Sequence, residues 1–449
     1  MNRVSLLQIP WLKAALKNRW PQFTISALLM AGFVFAIVAG LVGTPVGSRN
    51  FGIIAVWIAW WAILILAVVP VTGRGWCSVC PIPMAGDFLQ RRSLLGPNGG
   101  RTRGLNLRLP KLFRNIWWQN AAFALMAIFS AAILTNPRVT ALALIIMLVA
   151  AIGMSAVFER RSFCKSVCPV GGFIGLYSQV APLELRVADA AACASCASKA
   201  CYNGSEAGYG CPWGTFPAGL TRNPACGLCL ECLRSCPNDN IVLNLRPFAA
   251  DLEKPAARLD EAFKAFLMLG AALVYAAVFL GPWGNLKVAA LAAGTWPWLG
   301  YAAAFLLICL ALLPGLFWVA VRLAKRMAPA KPHTARRHDF AQAAAALVPL
   351  GLAFWAAFSL SFVFANGSYL LNVLSDPLGW GWDLFGTAGA VWSPLYGSWT
   401  VAVQVGVLAL GAFGAARVAQ RAGARGGLHP LPVSGYSLAL TVVMMGLLL

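Results

Sequence analysis

Apolar residues run in long, scarcely interrupted blocks along the chain, at roughly 23–43, 52–71, 116–135, 139–158, 263–282, 296–321, 341–365, 399–416 and 433–449. Each block is about 18 residues or longer, the length an α-helix needs to cross the hydrocarbon core of a bilayer. The pattern predicts an all-α polytopic membrane protein with about nine transmembrane helices. One long polar stretch, 159–262, interrupts it. The expected organisation is an N-terminal four-helix membrane unit over 1–158, an inserted module over 159–262 and a C-terminal five-helix membrane unit over 263–449.

Composition agrees, since 60% hydrophobic and 11% charged residues lie far outside the soluble range. The net charge of +21 would suggest nucleic acid in a soluble chain, but here the basic residues sit between the apolar blocks. With the N-terminus inside, only Arg49, Arg138 and Lys287 of the 35 Lys and Arg residues fall in outer loops. This asymmetry predicts a multi-pass protein of a prokaryotic inner membrane, with its N-terminus and its insert cytoplasmic. The charge is then a topology signal that needs no nucleic-acid partner, and membrane lipid is the expected surrounding. The first apolar block is long enough to span, so no cleaved signal peptide is expected.

A cytoplasmic face keeps cysteines reduced, so the thirteen present are read first as metal ligands or redox thiols. Cys309, alone within an apolar block, reads as a small buried hydrophobe. The run Cys226-x-x-Cys229-x-x-Cys232-x-x-x-Cys236-Pro237 is the spacing with which bacterial ferredoxins hold 4Fe-4S clusters. In such runs the fourth cysteine reaches the other cluster, so a second set is required. Cys193-x-x-Cys196, Cys201 and Cys211-Pro212 supply it, with wider spacing than usual. The crossed assignment puts Cys193, Cys196, Cys201 and Cys236 on one cluster and Cys211, Cys226, Cys229 and Cys232 on the other. Eight cysteines with no nearby histidine argue against zinc ribbons, and the insert is expected to be an α+β ferredoxin-like module with two 4Fe-4S clusters.

Two further pairs stand where the second and fourth blocks end: Arg74-Gly75-Trp76-Cys77-Ser78-Val79-Cys80-Pro81 and Arg161-Ser162-Phe163-Cys164-Lys165-Ser166-Val167-Cys168-Pro169. Their likeness marks an internal duplication of a two-helix unit. Packed about a pseudo-two-fold axis, the units would bring Cys77, Cys80, Cys164 and Cys168 together. A third cubane cluster is one reading, with Arg74, Arg161 and Lys165 offsetting its charge. A redox-active dithiol, or a structural or zinc role, are the others.

These motifs, over roughly residues 20 to 250, resemble the NapH/NosR group of polyferredoxin membrane proteins, a 4Fe-4S quinol dehydrogenase membrane-subunit family. The resemblance implies quinol oxidation with electron delivery to periplasmic reductases, or support of their metal centres, with the twelve cysteines in the family's functional positions. No extracytoplasmic flavin domain of the NosR kind is expected within this sequence, and five predicted helices follow the insert that the NapH type does not have.

The bundle offers little else. His333, His338 and His429 all fall in predicted cytoplasmic loops, so no haem is expected within the bundle, and no acidic residue lies near the middle of a block. Asp87 and Glu159 are the acids near the paired cysteines, read either as acceptors of a quinol proton or as solvated loop charges. The outer loop 366–398, rich in aromatics and carrying Asp376 and Asp383, reads as a membrane anchor or as a docking face for an extracytoplasmic cytochrome or reductase. The basic loop 322–340 suits anionic lipid or an acidic donor. The expected function is electron transfer between cytoplasmic-side clusters and a membrane quinone or a partner redox subunit. The alternative is an iron–sulphur assembly or regulatory factor that supports maturation of another metalloenzyme.

Overall fold

Hydrophobic length is converted into helix almost everywhere it was expected. In the computed structural model, described over residues 3–91, 93–96, 104–253, 255–328, 336–395 and 397–448, eight helices are long and apolar enough to cross a membrane. They are Trp20–Val42, Phe51–Thr72, Pro137–Val157, Leu259–Phe279, Trp296–Arg326, Arg337–Asn366, Trp399–Gly423 and Pro430–Leu448. The ninth block, 116–135, is broken: helices Trp117–Ile128 and Ser130–Thr135 flank Phe129, whose φ of −94° and ψ of 3° fall in the bridge region. Such a residue interrupts the i→i−4 ladder, so hydropathy alone overstated the number of uninterrupted spans.

The chain forms two compact units. One comprises Ala36–Ala67, Asn120–Ala143 and Leu252–Leu449. Its centre is formed by Leu259–Phe279 and Arg337–Asn366, which are 78% and 72% buried over their apolar windows. Aromatic rings fill the space between helices: Phe266 lies 5.3 Å from Phe317, and Trp355 lies 5.3 Å from Tyr275. The Trp355 indole donates to the Met268 carbonyl at 2.9 Å, satisfying its one donor inside an apolar core. Cys309 is fully buried, and a Cβ added at Gly270 would stand 2.6 Å from its sulphur, so here a small side chain permits close helix approach.

Loops in this unit hold one another through hydrogen bonds and ion pairs. Thr44 donates to Leu378 and Phe51 to Pro377 at 2.8 and 3.0 Å, and Gly47 packs on the Thr135 carbonyl. Elsewhere Arg421 pairs with Glu253 at 2.9 Å, Lys325 with Asp339 at 2.6 Å, and the His429 N–H donates to the Ala324 carbonyl at 2.8 Å. Asp376 accepts from the N–H groups of Trp380 and Gly381, and Asp383 from the Ser375 hydroxyl and the Ala388 N–H. They fix the turns of their loop. Lys331 and His333 of the basic loop lie outside the described residues.

The other unit comprises Met1–Phe35, Val68–Gln119 and Leu144–Asp251. Its sheet has the order β1-β3-β2, with β1 Val4–Ser5, β2 Leu183–Val187 and β3 Ile241–Leu245, all antiparallel. Leu245 is paired on one side with Val4 and on the other with Leu183. Next to the sheet Arg246 is fully buried between Glu184, at 3.1 Å, and Asp251. Such a set costs about 3–5 kcal/mol if one partner is removed. Between β2 and β3 run short helices Ala190–Ala194, Ala200–Asn203 and Glu231–Ser235, which carry Cys193, Cys201 and Cys232, while Cys196, Cys211, Cys226, Cys229 and Cys236 lie in the segments around them.

Candidate metal centres

Cysteine loops that must turn several sulphurs toward one point use unusual backbone. Lys199, Leu228, Leu230 and Asp239 all have positive φ, between 45° and 62°, and each adjoins a cysteine segment. Non-glycine residues in this region carry strain that the surrounding structure must hold. The turns bring N–H groups onto sulphur: Leu228 donates to Cys226 at 3.4 Å, Thr215 to Cys211 at 3.5 Å and Asn240 to Cys236 at 3.3 Å.

The structure gathers Cys193, Cys196, Cys201 and Cys236. Asn240 ties two of them together, since its backbone N–H donates to Cys236 while its side-chain amide donates to Cys193 at 3.2 Å. Burial, and then the neighbouring Cys236, Cys193 and Cys196, push the Cys201 thiol up to about 11. Cys196 is the outermost, and the Lys199 N–H and Ser198 hydroxyl lower its pKa.

Cys211, Cys226, Cys229 and Cys232 line one partly open hollow of about 350 Å³, walled by Leu185, Trp213 and Leu220. Burial followed by the neighbouring Cys211 pushes Cys229 up to about 12, and Cys226, though backbone N–H bonding from Leu228 opposes it, up to about 11. Cys232 is raised well above the usual thiol range by burial and then by the other three. Gly227 is required here because a Cβ would overlap the indole of Trp213, which the Arg74 guanidinium covers at 4.2 Å.

Cys77, Cys80, Cys164 and Cys168 form the third set. Cys80, Cys164 and Cys168 pack in one apolar cluster with Ile82, Phe163 and Met154. Burial raises Cys80, and then Cys77 and Cys168; burial raises Cys164, and then Cys168, Cys80 and Cys77. The duplicated motifs hold each other crosswise. Arg74, before the first pair, donates to the Gly171 carbonyl at 2.9 Å beyond the second. Arg161, before the second pair, donates to the Cys77 carbonyl at 2.9 Å within the first and grips Asp87 at 2.5 Å. Lys165 reaches toward the Cys211 set, donating to the Trp213 carbonyl at 3.1 Å.

Asp87 is neither a solvated charge nor a poised base. Burial would raise its carboxyl, but Arg161 and Arg91 together hold it below the usual carboxylate range. Asn240, Arg160, which donates to the Cys211 carbonyl at 3.0 Å, and Trp213 were not singled out by spacing. The glycine inside Cys226-Gly227-Leu228-Cys229 is the one sequence sign of the close approach that Trp213 makes.

Among the described residues, no three His, Cys, Asp or Glu side chains close on a point that would hold a single metal ion. The donors present are thiols, in groups of four, most of them buried or half-buried. That donor chemistry fits 4Fe-4S clusters. Residues 53–98 and 140–185 are each similar to the 4Fe-4S binding domain family, and the two matches contain Cys77 with Cys80 and Cys164 with Cys168. The chain is therefore an iron–sulphur protein, with support for two 4Fe-4S clusters, and its apolar helices are those of a multi-pass membrane protein. No curated protein and no solved structure matches it.

Proposed function

We propose that this chain is the membrane subunit of a NapH/NosR-type quinol-linked electron-transfer system, holding three 4Fe-4S clusters on the cytoplasmic side of a prokaryotic inner membrane. The observation that carries the reading is the grouping of twelve cysteines into three sets of four within one compact unit. Each matched 4Fe-4S segment has only two cysteines, and the crosswise Arg74 and Arg161 contacts support reading the two segments as a pair whose four cysteines hold one cluster between them. The remaining sets are Cys193, Cys196, Cys201 and Cys236, and Cys211, Cys226, Cys229 and Cys232, in a ferredoxin-like α+β module.

The clusters would supply one-electron transfer. The protein's part is to bury the thiolates, to donate N–H groups to their sulphurs and to place Arg74, Arg160, Arg161 and Lys165 where anionic charge gathers. With Asp87 locked in an ion pair, the chain's own contribution at the membrane edge is fixed charge rather than proton uptake. Electrons would pass between a quinol and partner redox subunits, one of them an extracytoplasmic cytochrome or reductase.

Iron and acid-labile sulphide per anaerobically purified chain, with EPR of the reduced protein, test this. About twelve irons per chain are expected for three cubanes. About eight, unchanged in a Cys77→Ser/Cys164→Ser variant, would sink the membrane-edge cluster.

A further inference from the structure

The Cys211 set adjoins each of the other two cysteine sets, and the Arg161–Asp87 pair lies beside two of the three. The Cys193 set adjoins the Cys211 set where Cys201 comes within electrostatic reach of Cys232. The Cys211 set adjoins the membrane-edge set at a cleft whose lining includes Cys80, Asp87, Pro212 and Cys229. Arg161 lies in that cleft. Its backbone N–H donates to the Pro212 carbonyl at 3.0 Å, next to Cys211, while its guanidinium donates to the Cys77 carbonyl at 2.9 Å. Its charge is felt by Cys164 of one set and Cys229 of the other. Asp87 accepts from Arg161 through both carboxylate oxygens and lies within 3.7 Å of Arg91, so the pair is buried and held in one orientation.

We propose that the Cys211, Cys226, Cys229 and Cys232 set is the middle station of a three-station relay, and that the Arg161–Asp87 pair sets the potentials of the middle and membrane-edge stations together while leaving the Cys193 station unaffected. This rests on the reading of three clusters. Each transfer moves one electron from a reduced station to an oxidised one, with no bond made or broken and no proton taken by Asp87. The electron enters from a quinol or a low-potential donor and leaves to the partner subunit. A reduced station carries one more negative charge than an oxidised one, so a cation beside it favours reduction and an anion opposes it. A shared pair moves two adjacent stations in step, which keeps the driving force between them constant.

The test is an EPR-monitored redox titration of the full chain, purified anaerobically in detergent. Signals are assigned with Cys196→Ser, which removes one ligand of the distal set. Arg161→Gln is expected to lower the reduced fraction at fixed potential about tenfold at both the middle and membrane-edge stations, about 59 mV for a one-electron couple. Asp87→Asn is expected to move both the opposite way, and Arg161→Lys to stay near wild type. The Cys193 station is expected to hold its potential in all three. A shift confined to one station, a distal shift as large as the others, or movement in the same direction in Arg161→Gln and Asp87→Asn would overturn the relay. Should Arg161→Gln fail to fold, Asp87→Asn carries the test with the opposite sign. About twelve irons in the wild-type protein with potentials unmoved in Arg161→Gln and Asp87→Asn rejects this inference alone, whereas about eight irons rejects the three-cluster reading and the relay with it.

Discussion

At the residue scale the sites depend on small decisions about space and donors. Gly227 has no Cβ because Trp213 occupies that place beneath Arg74. Gly227→Ala is expected to cost about 1–3 kcal/mol through overpacking and to strip the Cys211 set of iron, while leaving the Cys193 set loaded. Iron content and EPR distinguish this from general unfolding, which would empty every set. The buried thiols give a pH prediction for protein stripped of iron. Cys168, Cys201 and Cys226 are pushed up to about 11 and Cys229 to about 12. A thiol raised in the fold contributes stability that is complete below its unfolded value and disappears as pH climbs through the folded one. The iron-free protein is therefore expected to lose stability as pH rises from about 9 toward about 12, where the loaded protein, whose cysteines are already thiolates, does not. Denaturation midpoints of the two forms against pH check it. Cluster loading from neutral solution must in turn release protons, so reconstitution is expected to slow as pH falls.

At the element scale, the cysteine spacings and the long apolar helices were legible because each depends on local pattern: a period, a length, a Cys-Pro step. What was not legible depends on partners far away in sequence. Two residues make β1, and nothing in Val4–Ser5 announces a strand; β3 recruits it by offering Leu245 and Asn244 as an open edge. The helix Pro10–Lys17 that follows is held by Arg234, which donates to the carbonyls of Leu16, Lys17 and Asn18 and to the Gln22 side chain while paired with Glu231 at 2.7 Å. Asp239 adds Lys13 and Lys17. Arg234→Ala is expected to cost about 3–5 kcal/mol, since it leaves Glu231 short of a partner in a buried site, and to free this segment. Limited trypsin digestion in detergent would show it as faster cleavage after Lys13 and Lys17, with the transmembrane fragments intact. Unchanged cleavage would mean that the strand pairing alone holds the segment. Similarly, the matching Arg-x-x-Cys steps showed that the two cysteine pairs are copies, but not that Arg74 and Arg161 reach across to the opposite copy.

At the scale of the whole molecule, the broken helix decides which way the chain runs. Hydropathy counted 116–135 as a span, and the structure interrupts it at Phe129. Cys80 and Cys164 are nonetheless near enough to affect each other's ionisation, so their segments share one membrane face, and an even number of crossings must separate them. Pro137–Val157 is long and apolar enough to be one crossing. The pieces Trp117–Ile128 and Ser130–Thr135 are then expected together to be the other, with residues 136–138 on the outer side. Independent contacts agree, because Gly47 packs on the Thr135 carbonyl while its neighbours Thr44 and Phe51 bond to Leu378 and Pro377, all in loops that the Lys and Arg distribution assigns outside. Alkaline phosphatase fused after Arg138 or after Gly379 is expected to be active, and fused after Gly96 or after Met327 to be inactive, with a cytoplasmic fluorescent reporter giving the reverse. An inactive Arg138 fusion beside an active Gly379 fusion would mean that the broken segment does not cross. The two cysteine pairs would then face opposite sides of the membrane, and no single cluster could join them.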